Sequence, residues 1–101
     1  MTEASRLSID ATDDGPVVLV GVIDSHTTDQ LLEGLDALGR DADVSLDLTG
    51  VGFIDSSGLR AIVTTHQRLD EAGHRLVLTG VSDAVQRLLE ITGLEAHLHV
   101  S

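Results

Sequence analysis

The chain has 101 residues, 42% of them hydrophobic, enough for one domain spanning residues 1–101, since folded chains of this size bury roughly 60–70% of their unfolded surface. It lacks cysteine, which excludes disulfides, thiolate metal sites and a cysteine nucleophile and fits a reducing compartment. Asp and Glu number 17 against 6 Lys and Arg, a formal net charge of −11, with one Phe and no Trp or Tyr; such a surface repels nucleic acid and anionic membrane and offers no stacking platform for bases. The longest apolar run, Val17 to Ile23, is far short of the ~20 residues of a membrane helix. No signal-peptide pattern stands at the N-terminus, so the expectation is a soluble, cytoplasmic protein.

In chain order, Met1 to Arg6 is polar and expected to be loosely ordered. Leu7-Ser8-Ile9-Asp10-Ala11 alternates as a half-buried strand does. Asp13-Asp14-Gly15-Pro16 combines residues that tolerate or supply turn conformations with one that cannot donate a ladder hydrogen bond. Pro16 to Ile23 is apolar at nearly every position and predicts a central strand, antiparallel to the first. Asp24-Ser25-His26-Thr27 is a polar turn. Thr27 followed by Gln30 matches a capping box, and Leu31, Leu32, Leu35 and Leu38 give the next helix one apolar face.

Val44, Leu46 and Leu48 alternate with Ser45, Asp47 and Thr49, which predicts a third strand over 44–49. After the turn Asp55-Ser56-Ser57-Gly58, a second helix runs from about Ser57 to Ala72, with Ser57 as its cap, Gly58 at its first position and Gly73 as its stop. Residues 75–79 form a fourth strand, and Gly80-Val81-Ser82 turns into a third helix capped by Ser82. That helix buries Val85, Leu88 and Leu89 and stops at Gly93. Leu98 to Val100 closes a short edge strand. The fold class is therefore α/β: a four- to five-stranded mixed sheet, an N-terminal antiparallel hairpin followed by parallel strands, with three main helices. Strands added in sequence order put all three helices on one face, and the alternating strands leave the other face less covered.

Parallel strands two, three and four deliver their following loops to one edge, where open α/β sheets place their sites. Those loops carry Asp24-Ser25-His26, Asp55-Ser56-Ser57-Gly58 and Thr79-Gly80-Val81-Ser82. A hydrolase triad has little support: His26 is the histidine at this edge, and no G-x-S-x-G elbow is present. The phosphate-loop and G-x-G-x-x-G patterns are absent as well. His97-x-His99 lacks a third metal ligand at useful spacing, and His66 and His74 read as a helix-flank and a turn residue. No cofactor or metal is expected. Ser57 before a helix is first of all a cap, worth roughly 1 kcal/mol. A serine at a helix N-terminus is also a good place for phosphate, since amides and macrodipole favour an anion there.

The stretch Val44 to Leu59, V-S-L-D-L-T-G-V-G-F-I-D-S-S-G-L, resembles the signature of STAS domains, in particular the bacterial anti-sigma-factor antagonists. Gly21-Val22-Ile23-Asp24 resembles the family's G-x-[IL]-D, and Arg75 to Leu78 with Val85 to Leu94 resembles its last strand-helix unit, so the likeness covers nearly the whole chain. The resemblance implies a regulatory protein without catalytic activity. Unphosphorylated, it binds an anti-sigma factor that is also a serine kinase and frees a sigma factor; phosphorylation at the second serine of the D-S-S-G turn ends binding, and a serine phosphatase restores it. Carried over, Ser57 is the phosphorylated residue, Asp24 and Asp55 are the acidic positions beside it, and Ser56 and Gly58 shape the turn; with Ser25, His26 and Arg60 these make up the expected partner-binding surface. The alternative is an unphosphorylated STAS scaffold or an accessory subunit of a transport complex. A weak nucleotide-binding or hydrolytic role is disfavoured, because Arg60 is the one basic residue near these loops. The family commonly has a small residue where this chain has Arg60, which is either solvated or a partner for phosphate or for an acidic surface. If His26 lies at the interface, binding responds to pH near 6–7.

Overall fold

The computed structural model describes residues 6–11, 15–39 and 42–100. Five strands, β1 (Leu7–Asp10), β2 (Val17–Ile23), β3 (Val44–Ile54), β4 (Leu76–Val81) and β5 (His99–Val100), form one sheet in sequence order. β1 and β2 are antiparallel, and every later pairing is parallel. The helices are α1 (Thr28–Asp36), α2 (Ser56–Glu71) and α3 (Asp83–Thr92), and a 3-10 turn over Leu94–His97 leads into β5. The expected hairpin-then-parallel α/β architecture holds. The hairpin's own turn falls partly on 12–14, and Met1 to Ser5 and the link at 40–41 likewise lie outside the described residues.

One sheet face carries the core. Leu19, Ile23, Leu46, Leu48, Leu76 and Leu78 are buried in one cluster with Leu31 and Leu35 of α1, Leu59, Ile62 and Leu69 of α2, and Val85 and Leu89 of α3. The alternate positions stay partly open, with Val20 and Val100 exposed. Period-two side chains facing helices on one side and solvent on the other produce this pattern. α1 and α2 lie side by side, joined across their exposed flank by Arg68 Nη1 to Asp36 Oδ1 at 2.8 Å.

Three elements depart from the sequence expectation. β3 does not end at Thr49 but runs on to Ile54. Its inward residues are Val44, Leu46 and Leu48, then Val51 and Ile54. The spacing changes from two to three because the β2–β3 register slips twice, between Val18 and Val20 and between Gly21 and Val22, and bulges of this kind rephase the buried face. β4 continues to Val81, so Thr79, Gly80 and Val81 belong to a strand and not to a loop. The capping box at α1 does not form: Thr27 makes no cap bond, and Gln30 Nε2 donates to the Leu7 carbonyl at 2.8 Å, tying α1 to β1. Gly73 and Gly93 take positive φ beyond the ends of α2 and α3, and Ser82 caps α3, as expected; Gly39 takes positive φ beyond α1.

Candidate functional site

The site is built from the starts of α1 and α2. β2 and β3 end next to each other, and the Asp55 amide donates to the Ile23 carbonyl at 3.0 Å. Asp55, not Ser57, is the cap of α2. Its Oδ1 accepts from the Ser57 amide at 3.0 Å and the Gly58 amide at 3.2 Å, and the Ser57 hydroxyl donates to the same oxygen at 2.5 Å. Aspartate and serine are near-equal caps, and the D-S-S run offers both; the structure takes the residue whose carboxylate reaches two orphan amides at once. Gly58 is therefore the third helical residue. A Cβ there would overlap Ile23 Cγ2, so glycine is required by the close approach of α2 to β2.

The neighbouring turn is anchored in the same way. Asp24 Oδ1 accepts from the amides of His26 at 2.9 Å and Thr27 at 3.2 Å. The Thr27 hydroxyl is buried, donates to the Val22 carbonyl and accepts from the Asp24 amide, both at 2.9 Å. The two turns meet through hydroxyls, Thr28 Oγ1 lying 3.1 Å from Ser57 Oγ. Ser57 is half-buried, while Ser25, His26, Ser56 and Arg60 are exposed. Ser82, from the third expected loop, bonds to the Val51 carbonyl and caps α3; its hydroxyl is committed to structure.

Charge at this edge is concentrated and partly balanced. The Ser57 hydroxyl, with the Gly58 and Ser57 amides, holds the Asp55 carboxyl below its ordinary value, against partial desolvation and the nearby Asp24 charge. Desolvation pushes the Asp24 carboxyl upward, but the His26 and Thr27 amides and the Arg6 guanidinium outweigh it, so Asp24 is also lowered. Arg6 Nη2 reaches Asp24 Oδ2 at 2.7 Å. Arg6 thus belongs to an ordered contact and not to a loose terminus. The imidazole of His26 is 81% exposed, its Nδ1 3.8 Å from Asp24 Oδ1.

Beside Ser57, a cleft of ≈ 490 Å³ opens between α1 and α2, lined by Thr28, Ser57, Arg60, Thr64 and Arg68 among others. On the other flank, Phe53, the chain's one aromatic of the Phe, Trp and Tyr class, is 51% exposed two residues before Asp55. Sequence reasoning missed Arg6, Thr28 and Phe53. Phe53 had a legible signal, a large apolar residue beside a polar turn; nothing in the spacing pointed to Arg6 or to the Thr28 contact. Among the described residues no group of His, Asp or Glu side chains has the geometry to hold a metal ion, and no helix is long and apolar enough to cross a membrane.

A sequential mixed sheet with an aspartate-capped serine turn at one edge defines an α/β domain of the STAS type. The STAS domain family matches residues 9–101, and the chain belongs to that family. The anti-sigma-B factor antagonist of Staphylococcus aureus (strain NCTC 8325 / PS 47) is 37% identical over 83 residues, covering 80% of this chain and 77% of the relative. An anti-sigma factor antagonist from Mycobacterium paratuberculosis has a similar structure, with a TM-score of 0.76 at 24% identity over 93% of this chain and 82% of that one. The phosphorylated form of SpoIIAA, a Bacillus cell fate determinant, gives a TM-score of 0.67 at 18% identity over 94% and 90% of the two chains. The two structural likenesses bear on the fold alone.

Proposed function

We propose that this chain is an anti-sigma-factor antagonist controlled by phosphorylation at Ser57. The reading is supported by family membership and by the similarity to the Staphylococcus aureus anti-sigma-B factor antagonist. The observation that carries it is the bonding of the Ser57 hydroxyl. It is partly accessible and contacts two side chains, Asp55 and Thr28, with no backbone carbonyl depending on it. It can gain a phosphoryl group without opening a strand or a helix.

In this reading the unphosphorylated face, with Asp24, Ser25, His26, Asp55, Ser56, Ser57, Gly58 and Arg60, docks on an anti-sigma factor that is also a serine kinase. Phe53 adds an apolar anchor at the same edge. The kinase transfers the γ-phosphoryl group of ATP to Ser57 Oγ, the hydroxyl proton leaves to a base of the kinase, and ADP is released. The new group adds a charge of about −1.5 to −2 to a docked surface. Burying a phosphate dianion at the docked surface costs more than the contact returns, so the partner dissociates until a phosphatase hydrolyses the ester. The chain is a substrate and a ligand here, acts in the cytoplasm, catalyses nothing itself, and touches neither nucleic acid nor membrane.

Incubation with the cognate kinase and ATP is expected to add the mass of one phosphoryl group to the wild-type chain and nothing to Ser57→Ala. Single phosphorylation of Ser57→Ala would move the assignment to another hydroxyl, Ser56 first.

A further inference from the structure

We propose that Arg60 receives the phosphoryl group of phosphorylated Ser57, inside the cleft between α1 and α2. The inference rests on the reading of Ser57 as the modified residue and adds where the phosphate goes and what holds it.

The helix N-terminus does not hold it. The Ser57 and Gly58 amides are already taken by Asp55 Oδ1, a carboxylate kept ionised by those bonds. Phosphorylation removes the hydroxyl hydrogen that Ser57 now gives to Asp55. A dianionic ester then faces a carboxylate, with Asp24 close behind it, and like charges at this range repel. The ester must turn away from Asp55.

The open direction is past Thr28 Oγ1, 3.1 Å from Ser57 Oγ, into the cleft. In a chain of net charge −11, the cleft lining contains no carboxylate and two arginines, Arg60 and Arg68. Arg68 is committed to Asp36 at 2.8 Å. Arg60 is exposed, makes no ion pair among the described residues, and stands three residues after Ser57, on the same helical face. Its guanidinium presents paired N–H donors that match two phosphate oxygens. The phosphate is therefore latched to the chain's own surface, with its charge partly neutralised; the Thr28 hydroxyl already donates to the Asp24 carbonyl at 2.7 Å, which leaves the Thr64 hydroxyl of the cleft lining as a further donor.

The test places phosphoserine at position 57 by genetic encoding, so no kinase is needed. The ³¹P titration midpoint of that group is then compared among four chains: the parent, Arg60→Gln, Arg60→Lys and Arg87→Gln. A paired cation stabilises the dianion, so Arg60→Gln is expected to raise the midpoint by roughly half a pH unit or more. Arg60→Lys should raise it less, and Arg87→Gln, which alters an exposed cation on α3, much less. A midpoint that ignores Arg60→Gln overturns the proposal, as does an equal rise in Arg60→Gln and Arg87→Gln, which would mark a diffuse field. Failure of a kinase to modify Ser57 would instead sink the phosphorylation reading and leave this titration unaffected.

Discussion

The two turns at the edge of the sheet are both anchored by an aspartate, yet they hold their hydroxyls in opposite ways. In the first, Asp24 caps the chain entering α1, and the Thr27 hydroxyl is sealed against the Val22 carbonyl and the Asp24 amide. In the second, Asp55 caps α2, and the Ser57 hydroxyl touches Asp55 and Thr28 side chains. Thr27 is 5% exposed and completes the backbone's hydrogen bonding; Ser57 is half-buried and completes nothing that the fold requires. A hydroxyl near a helix start is thus available for chemistry when its partners are side chains, and structural when they are buried backbone groups.

Substitutions can break this contrast, and their expected effects fall in order. Gly58→Val should be the most damaging, because its side chain meets Ile23 where α2 crosses β2; overpacking of this kind costs about 1–3 kcal/mol or more, read as a fall in the urea midpoint. Thr27→Val keeps the shape but strands the Val22 carbonyl and the Asp24 amide, a loss of about 1–3 kcal/mol in the same measurement. Asp55→Ala removes the cap and should cost about 1 kcal/mol. Ser57→Ala should cost less than about 1 kcal/mol; a loss matching Thr27→Val would show that Ser57 is structural after all.

Acid sharpens the comparison further. Asp24 and Asp55 both have carboxyl pKa values lowered from the ordinary 3.8. A carboxyl lowered by folding contributes stability that is fully present above its unfolded value and lost as pH falls through the folded one. Thermal stability should therefore be flat near neutrality and decline as pH drops below about 4. Asp55→Asn should shrink that decline, which a series of melting curves would show.

Much of this was legible in the sequence. Strand alternation, the leucine face of α1 and the glycine stops of α2 and α3 are local signals, and each led to the right element. The end of β3 was not legible, since two register slips against β2 rephase Val51 and Ile54 inward and break the alternation that marks a strand. The cap of α2 was misassigned by two residues because Asp55 and Ser57 are equally good on propensity, and the geometry between β2 and β3 decides between them. Gln30 has capping-box spacing but spends its amide on Leu7, twenty-three residues away, a partner no local pattern reveals. The Arg6–Asp24 pair is invisible for the same reason. That Asp24, Asp55 and Ser57 share one edge was legible because the topology sends their loops there; Thr28 and the cleft beside it needed coordinates.

The central claim concerns Ser57 as a switch, and the most direct measurement is the affinity of the cognate anti-sigma factor for three chains by titration calorimetry. The account predicts near-equal binding by the unphosphorylated parent and Ser57→Ala, and binding weakened at least about tenfold, roughly 1.4 kcal/mol, by Ser57→Asp with its fold intact by circular dichroism. Parental affinity in a folded Ser57→Asp that persists in the fully phosphorylated parent would contradict it.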